Sequence, residues 1–112
     1  MTNEEYWWET QIVENHFANL QSVPWRKGER RIEWLHDPED DIYFEIVQLA
    51  NVTGTGKIVP VKTMFTKNLQ LHRLAGPAYI NEKTGNVWAF EGNKYNENEF
   101  KFFIQGMFEH IE

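Results

Sequence analysis

Three groups of residues in this chain have types and spacings that could do chemistry. The first is His36 with Asp37, Glu39, Asp40 and Asp41 close behind it, an imidazole among carboxylates of the kind a divalent cation uses in nucleases and hydrolases. The second is the segment "PWRKGERR", where Trp25 stands beside Arg26, Lys27, Arg30 and Arg31. An indole that stacks on a base, next to cations that neutralise phosphate, is single-strand and nucleotide-binding chemistry. The third is "LHRLAGPAYINEKTGNVWAFEGNKYNENEF", residues 71–100, which opens on His72 and Arg73 and holds two glycine turns around Trp88.

Each group also has a plainer reading. The four histidines, His16, His36, His72 and His110, fall in no H-E-x-x-H or comparable metal spacing, so no metal and no cofactor is expected, and His36 with its acidic neighbours reads as a solvated turn. The basic segment reads as a surface loop balancing acidic neighbours. The glycines of "GTG" at 54–56 lack the G-x-x-x-x-G-K-[ST] frame of a phosphate loop. With no cysteine, and with Ser22 outside any G-x-S-x-G context, nucleophilic catalysis has no candidate. A non-catalytic protein is therefore expected, with a metal-dependent nuclease or hydrolase using His36 or His72 as the weakest alternative.

Charge narrows the partner. Eleven Lys and Arg against seventeen Asp and Glu give a net −6, which repels nucleic acid at long range and favours a basic protein surface, including one evolved to hold nucleic acid. The densest carboxylates, Asp37, Glu39, Asp40 and Asp41, form the expected partner-binding patch, with Trp7 as an aromatic contact. The alternative is a pocket for a nucleotide-like ligand or RNA end built from Trp25, Arg26, Arg30, Arg31, His72 and Arg73. The acidic N-terminus "MTNEEYWWET" does not look like a secretory leader. No apolar run approaches the ~20 residues of a membrane span, so a cytoplasmic protein is expected. Homo-oligomerisation is left open.

The elements that must position these residues form one domain over 1–112. Thr2 and Glu5 have capping-box spacing, and Trp8, Ile12, Val13, Phe17 and Leu20 line one stripe of a helix over 3–21. From Arg30 the period becomes two: Ile32, Trp34 and His36 alternate with Arg31, Glu33 and Leu35, predicting a strand whose first set is its apolar face. "IYFEIVQL" is apolar on both faces, as for a strand covered on both sides. "KIVPVKTMF" returns after a glycine hairpin, with Pro60 requiring an edge or a bulge. "PAYIN" and "NVWAF" are two short strands. Asn96 and Glu99 repeat the cap logic before a stripe of Phe100, Phe103, Ile104, Met107, Phe108 and Ile111, whose centre, Phe103 and Met107, is expected to be buried. The fold class is α+β, with N-terminal and C-terminal helices packed on an antiparallel sheet of about five strands.

The stretch from His72 resembles a short module of bacteriophage-encoded accessory proteins, of approximate form H-R-x-x-G-P-A, strand, Gly turn, W-x-x-x-G-K. The matching residues are His72, Arg73, Gly76, Pro77, Ala78, Gly85, Trp88, Gly92, Lys94 and Phe100. Ala75 stands where that pattern commonly has Asp, and "EGNK" carries one residue more than "NGK". The resemblance implies a small phage-type protein of the infected host cell's cytoplasm rather than an activity; small size, negative charge and abundant Trp and Tyr make binding and inhibiting a host protein, as in countering host defence, the expected role.

Overall fold

The computed structural model of the chain describes residues 2–108; His110 and Ile111 lie outside the described residues. The Thr2 hydroxyl accepts from the Glu5 N–H at 3.2 Å and starts the N-terminal helix. That helix runs without a break as α1 (Asn3–Trp7), a π-helical turn (Trp8–Ile12) and α2 (Val13–Gln21). Its boundaries are those the sequence spacing predicts. The π turn is not predicted, and it changes which residues share a face.

Five strands make the main sheet. β1 (Arg30–Asp37), β2 (Ile42–Val52) and β3 (Ile58–Lys67) are consecutive antiparallel neighbours, and β3 pairs on its far side with β4 (Gln70–Leu71) and β5 (Tyr79–Asn81). The register slips between β2 and β3 where Ala50 opposes Pro60. The slip is the bulge that proline's missing donor demands. Two-residue turns close the shorter hairpins: Asn68 and Leu69 join β3 to β4, and Glu91 and Gly92 join β6 (Trp88–Phe90) to β7 (Asn93–Tyr95), all four at positive φ. That is the twist which matches paired strands. The C-terminal helix α3 (Glu97–Phe108) begins with a reciprocal box, Asn96 Oδ1 accepting from the Glu99 N–H at 2.9 Å and Glu99 Oε1 from the Asn96 N–H at 3.1 Å. The α+β fold, with helices at both ends and an antiparallel five-stranded sheet, is as the sequence predicts. Among the described residues no helix is long and apolar enough to cross a membrane.

The apolar residues gather in two clusters. Val13, Leu35, Phe44, Ile46 and Phe65 are buried between the N-terminal helix and one face of the sheet, with Trp8, Phe17, Leu20 and Ile42 against them. Leu74, Phe100 and Ile104 form the second cluster, beneath Trp88, Phe90, Tyr95 and Phe103. In α3 the fully buried pair is thus Phe100 and Ile104, while Phe103 and Met107 are half-buried, because α3 lies on the β6–β7 hairpin rather than on the broad face of the sheet.

That placement corrects two expectations. β2 is covered on one face only: Phe44, Ile46, Gln48 and Ala50 are buried, whereas Tyr43 and Leu49 are exposed. β1 turns Arg31, Glu33, Leu35 and Asp37 toward the helix and leaves Ile32, Trp34 and His36 outside. The parity is fixed by what the helix supplies. The Leu20 carbonyl in its last turn and the Val23 and Pro24 carbonyls just past it need a donor, which Arg31 provides, and His16 needs an acceptor, which Glu33 provides at 3.1 Å.

Candidate functional site

His72 and Arg73 sit on the sheet side of the N-terminal helix, locked by backbone bonds from His72 N–H to the Phe65 carbonyl (3.0 Å) and from Arg73 N–H to the Ala89 carbonyl (3.2 Å). The Glu91 N–H donates to His72 Nδ1 at 2.9 Å. That nitrogen must therefore hold a lone pair, and Nε2 carries the proton. Nε2 donates in turn to Glu9 Oε1 at 2.6 Å, with both side chains nearly fully buried. Lys67 Nζ reaches the same Glu9 oxygen and Glu91 Oε1, each at 3.2 Å. Burial works against the Lys67 charge, yet Glu9 and Glu91 together outweigh it and hold the ammonium above its ordinary pKa. Glu9 Oε2 is buried with no hydrogen-bond partner among the described residues.

Arg73 clasps Glu14 with two bonds, Nε to Oε2 at 3.1 Å and Nη2 to Oε1 at 2.7 Å, and donates through Nη1 to the Pro77 carbonyl at 3.2 Å. Its guanidinium lies over the Phe65 ring, 4.1 Å from the centroid. A Cβ on Gly76 would come within 3.0 Å of Nη1. The glycine of the H-R-x-x-G-P-A pattern therefore makes room for the arginine of the same pattern, and Pro77 supplies it with an acceptor. Every polar atom of the His72 ring and most donors of Arg73 are consumed inside the protein, so the geometry makes this pair a clasp between helix and sheet.

The basic segment is also largely committed. The Arg31 guanidinium sits 3.5 Å over the Trp25 ring, donates to the Leu20, Val23 and Pro24 carbonyls and pairs with Glu29 at 2.6 Å. Hydrogen bonding from Arg31, then from the Arg26 N–H, holds the Glu29 carboxyl below its ordinary pKa. Arg31 thus ends the helix and covers the indole face a base would use, while Arg26 and Arg30 remain exposed. In the acidic turn Asp37 is buried and its Oδ1 accepts from the Glu39 N–H at 3.0 Å. Asp41 bonds His36 Nε2 at 2.9 Å; Glu39 and Asp40 are exposed. Trp7 is exposed on α1, remote in sequence from these groups. No cluster of three or more metal-ligating side chains occurs among the described residues.

What remains open to a partner is the outer face of the sheet. The strand register sets its rows: Arg30, Leu49 and Lys62 lie side by side, then Ile32, Val47, Met64 and Tyr79, then Trp34 and Glu45 beside the buried Thr66, then His36 and Tyr43. Trp34 is 60% exposed, Tyr43 48% and Ile32 43%, and the His36 and Tyr43 rings stack at 4.2 Å. The face runs from a basic end at Arg30 and Lys62 to an acidic end at the 38–41 turn. Sequence reading finds the alternation that makes this face but assigns it to the interior. No local signal identifies it, because the face is left open only by α3 packing on the β6–β7 hairpin instead of on the sheet.

A groove of about 390 Å³ between residues 74–76, Trp88 and α3 is the other concavity of note. Its lining is that of the second core, and no partnerless buried polar atom faces it. No protein-family model, curated protein or solved structure matches the chain.

Proposed function

We propose that this chain is a non-catalytic binding protein, of the small phage accessory kind its His72–Lys94 pattern resembles, and that it docks on a host protein and inhibits it. The observation that carries the reading is the open sheet face, where Ile32, Trp34, Tyr43 and Leu49 are exposed together on the side that neither helix covers. Large apolar side chains grouped on one face mark an interaction surface, whereas scattered ones do not. Aromatic side chains on a rigid sheet also make strong anchors, since little rotamer freedom is lost on docking. The exposed carboxylates Glu39, Asp40 and Asp41 rim one end of the face and steer it toward a basic surface.

The test is recovery of a partner by the immobilised protein, repeated with Trp34→Ser and with Phe102→Ser as a control, since Phe102 is also exposed but lies on α3. Capture that survives Phe102→Ser and fails with Trp34→Ser, together with a fall in the partner's own activity on adding the wild-type protein, supports the reading. Capture indifferent to Trp34 overturns it. A nucleotide released from the same preparation and lost on reversing Arg26 and Arg30 would put the ligand pocket in its place.

A further inference from the structure

We infer that β1 is a self-pairing edge, and that two copies of this chain join antiparallel through it, with Ile32 facing its symmetry mate. In an antiparallel ladder each residue directs both its N–H and its C=O to the same side, and successive residues alternate. The Tyr43 carbonyl accepts from the Asn68 N–H at 2.7 Å, so it points toward β3 and away from β1. Tyr43 opposes His36; that pair is therefore the non-bonded kind, and so are those at Trp34, Ile32 and Arg30. The Glu29 carbonyl has the opposite parity and accepts from the Ala50 N–H at 2.8 Å, which fits. The even-numbered residues of β1 thus aim four N–H and four C=O groups off the sheet.

β1 ends the strand order, and among the described residues no strand pairs with its outer side. Its register with β2 is unbroken over eight residues, and the segment contains no Pro and no Lys. Proline, lysine and a bulge, three devices that ordinarily keep such an edge from pairing, are therefore missing from it, and Arg30 is its one outward cation. Its inward charges do not serve, because Arg31 and Glu33 are bonded to the helix and Asp37 to the Glu39 N–H.

The occupant is chosen by complementarity. A two-fold axis normal to the sheet keeps the two outer faces on the same side, so even residues meet even residues. Centring it on Ile32 puts Trp34 of each copy opposite Arg30 of the other, giving two cation–π contacts on either side of an apolar pair. Centring it on Glu33 instead would oppose two like charges, and centring it on Trp34 would place Arg30 beyond the strand at Pro38. The Ile32-centred register matches the strand's only outward cation with its largest exposed aromatic. It also joins the two open sheet faces into one surface twice as wide, with each Trp34 ring lying against Arg30 of the other copy.

The chain has no cysteine, which makes a clean test. Sedimentation across a dilution series should give twice the 13.4 kDa chain mass at the concentrated end. Ile32→Cys should cross-link to itself on mild oxidation, since Cα atoms of a hydrogen-bonded pair lie about 5.5 Å apart, inside disulfide reach; Trp34→Cys and His36→Cys should not. Ile32→Pro removes an N–H that only the second copy uses, and should give a monomer with an unchanged circular dichroism spectrum. Should that variant fail to fold, the cysteine series decides alone. A wild-type monomer throughout the series, or cross-linking at 34 in preference to 32, overturns the inference.

Discussion

His72 Nε2 lies 2.6 Å from Glu9 Oε1, and the two residues are 63 positions apart in the chain. This bond ties the N-terminal helix to the turn where β4 meets the β6–β7 hairpin. Because the Glu91 N–H occupies Nδ1, the imidazole is neutral and the carboxylate's charge is balanced by Lys67. Removing one member of a buried charged set leaves the other uncompensated, at about 3–5 kcal/mol. Glu9→Ala should therefore lower the unfolding free energy by roughly that amount in urea. Glu9→Gln, which keeps an acceptor for Nε2, should lose less. Wild-type stability in Glu9→Ala would show that the cluster is not formed.

Arg73 and Gly76 should behave as one unit. Gly76→Ala forces a methyl against Nη1, which donates to Pro77 on a guanidinium that Glu14 holds through Nε and Nη2, so a loss of about 1–3 kcal/mol is expected from overpacking. Once Arg73 is Ala the methyl has nothing to meet. A double-mutant cycle should then show Gly76→Ala close to neutral in the Arg73→Ala background, and additivity of the two losses would refute the contact.

The raised pKa of Lys67 gives a signed prediction for alkaline solution. Its stabilising effect is fully present while the unfolded chain's lysine, near 10.5, is still protonated. It is lost as pH climbs from there through the higher folded-state value. Unfolding free energy should consequently fall above about pH 10.5 in the wild type, and fall less steeply in Lys67→Met. Parallel curves for the two proteins would mean that Lys67 is not held by Glu9 and Glu91.

How far the sequence alone reaches can be judged from single elements. The span of the N-terminal helix and the box at Asn96 and Glu99 are legible, because caps and apolar spacing are local signals. So is the bulge at Pro60, since proline's missing donor is a property of the residue. The burial of Glu9 is not legible: a carboxylate in an early helical turn reads as a solvated partner of the helix dipole, and its partners lie far along the chain. β1 is the sharper case. Its alternation is plain, but deciding which set faces inward requires knowing what the opposite layer offers, and a shift of one residue exchanges the faces. Here the helix end offers carbonyls and a histidine, so Arg31 and Glu33 turn in and Ile32 and Trp34 are left to the outside, where the candidate binding surface is.

The π turn at Trp8–Ile12 is what allows two adjacent residues, His72 and Arg73, to be gripped by Glu9 and Glu14 together. Five residues of regular α-helix sweep about 500°, leaving such a pair about 140° apart around the axis, whereas i→i+5 bonding brings them toward one face. Deleting the exposed Gln11 should restore α-helical bonding and turn everything before it by about 100° relative to everything after. The helix can then satisfy Glu14 with Arg73 or Glu9 with His72, but not both. The bidentate Arg73 bond and the packing of Phe17 and Leu20 favour keeping the second half in place, so the Glu9 contact should be the one lost. Trp8 also loses its place against Phe44, so the deletion should destabilise the protein by more than Glu9→Ala alone, above roughly 3 kcal/mol, and adding Glu9→Ala to it should cost little more. Gln11→Ala, which leaves the count of residues intact, should stay within about 0.5 kcal/mol of wild type. A deletion as mild as that control would mean that the extra residue in the turn has no part in aligning the two carboxylates.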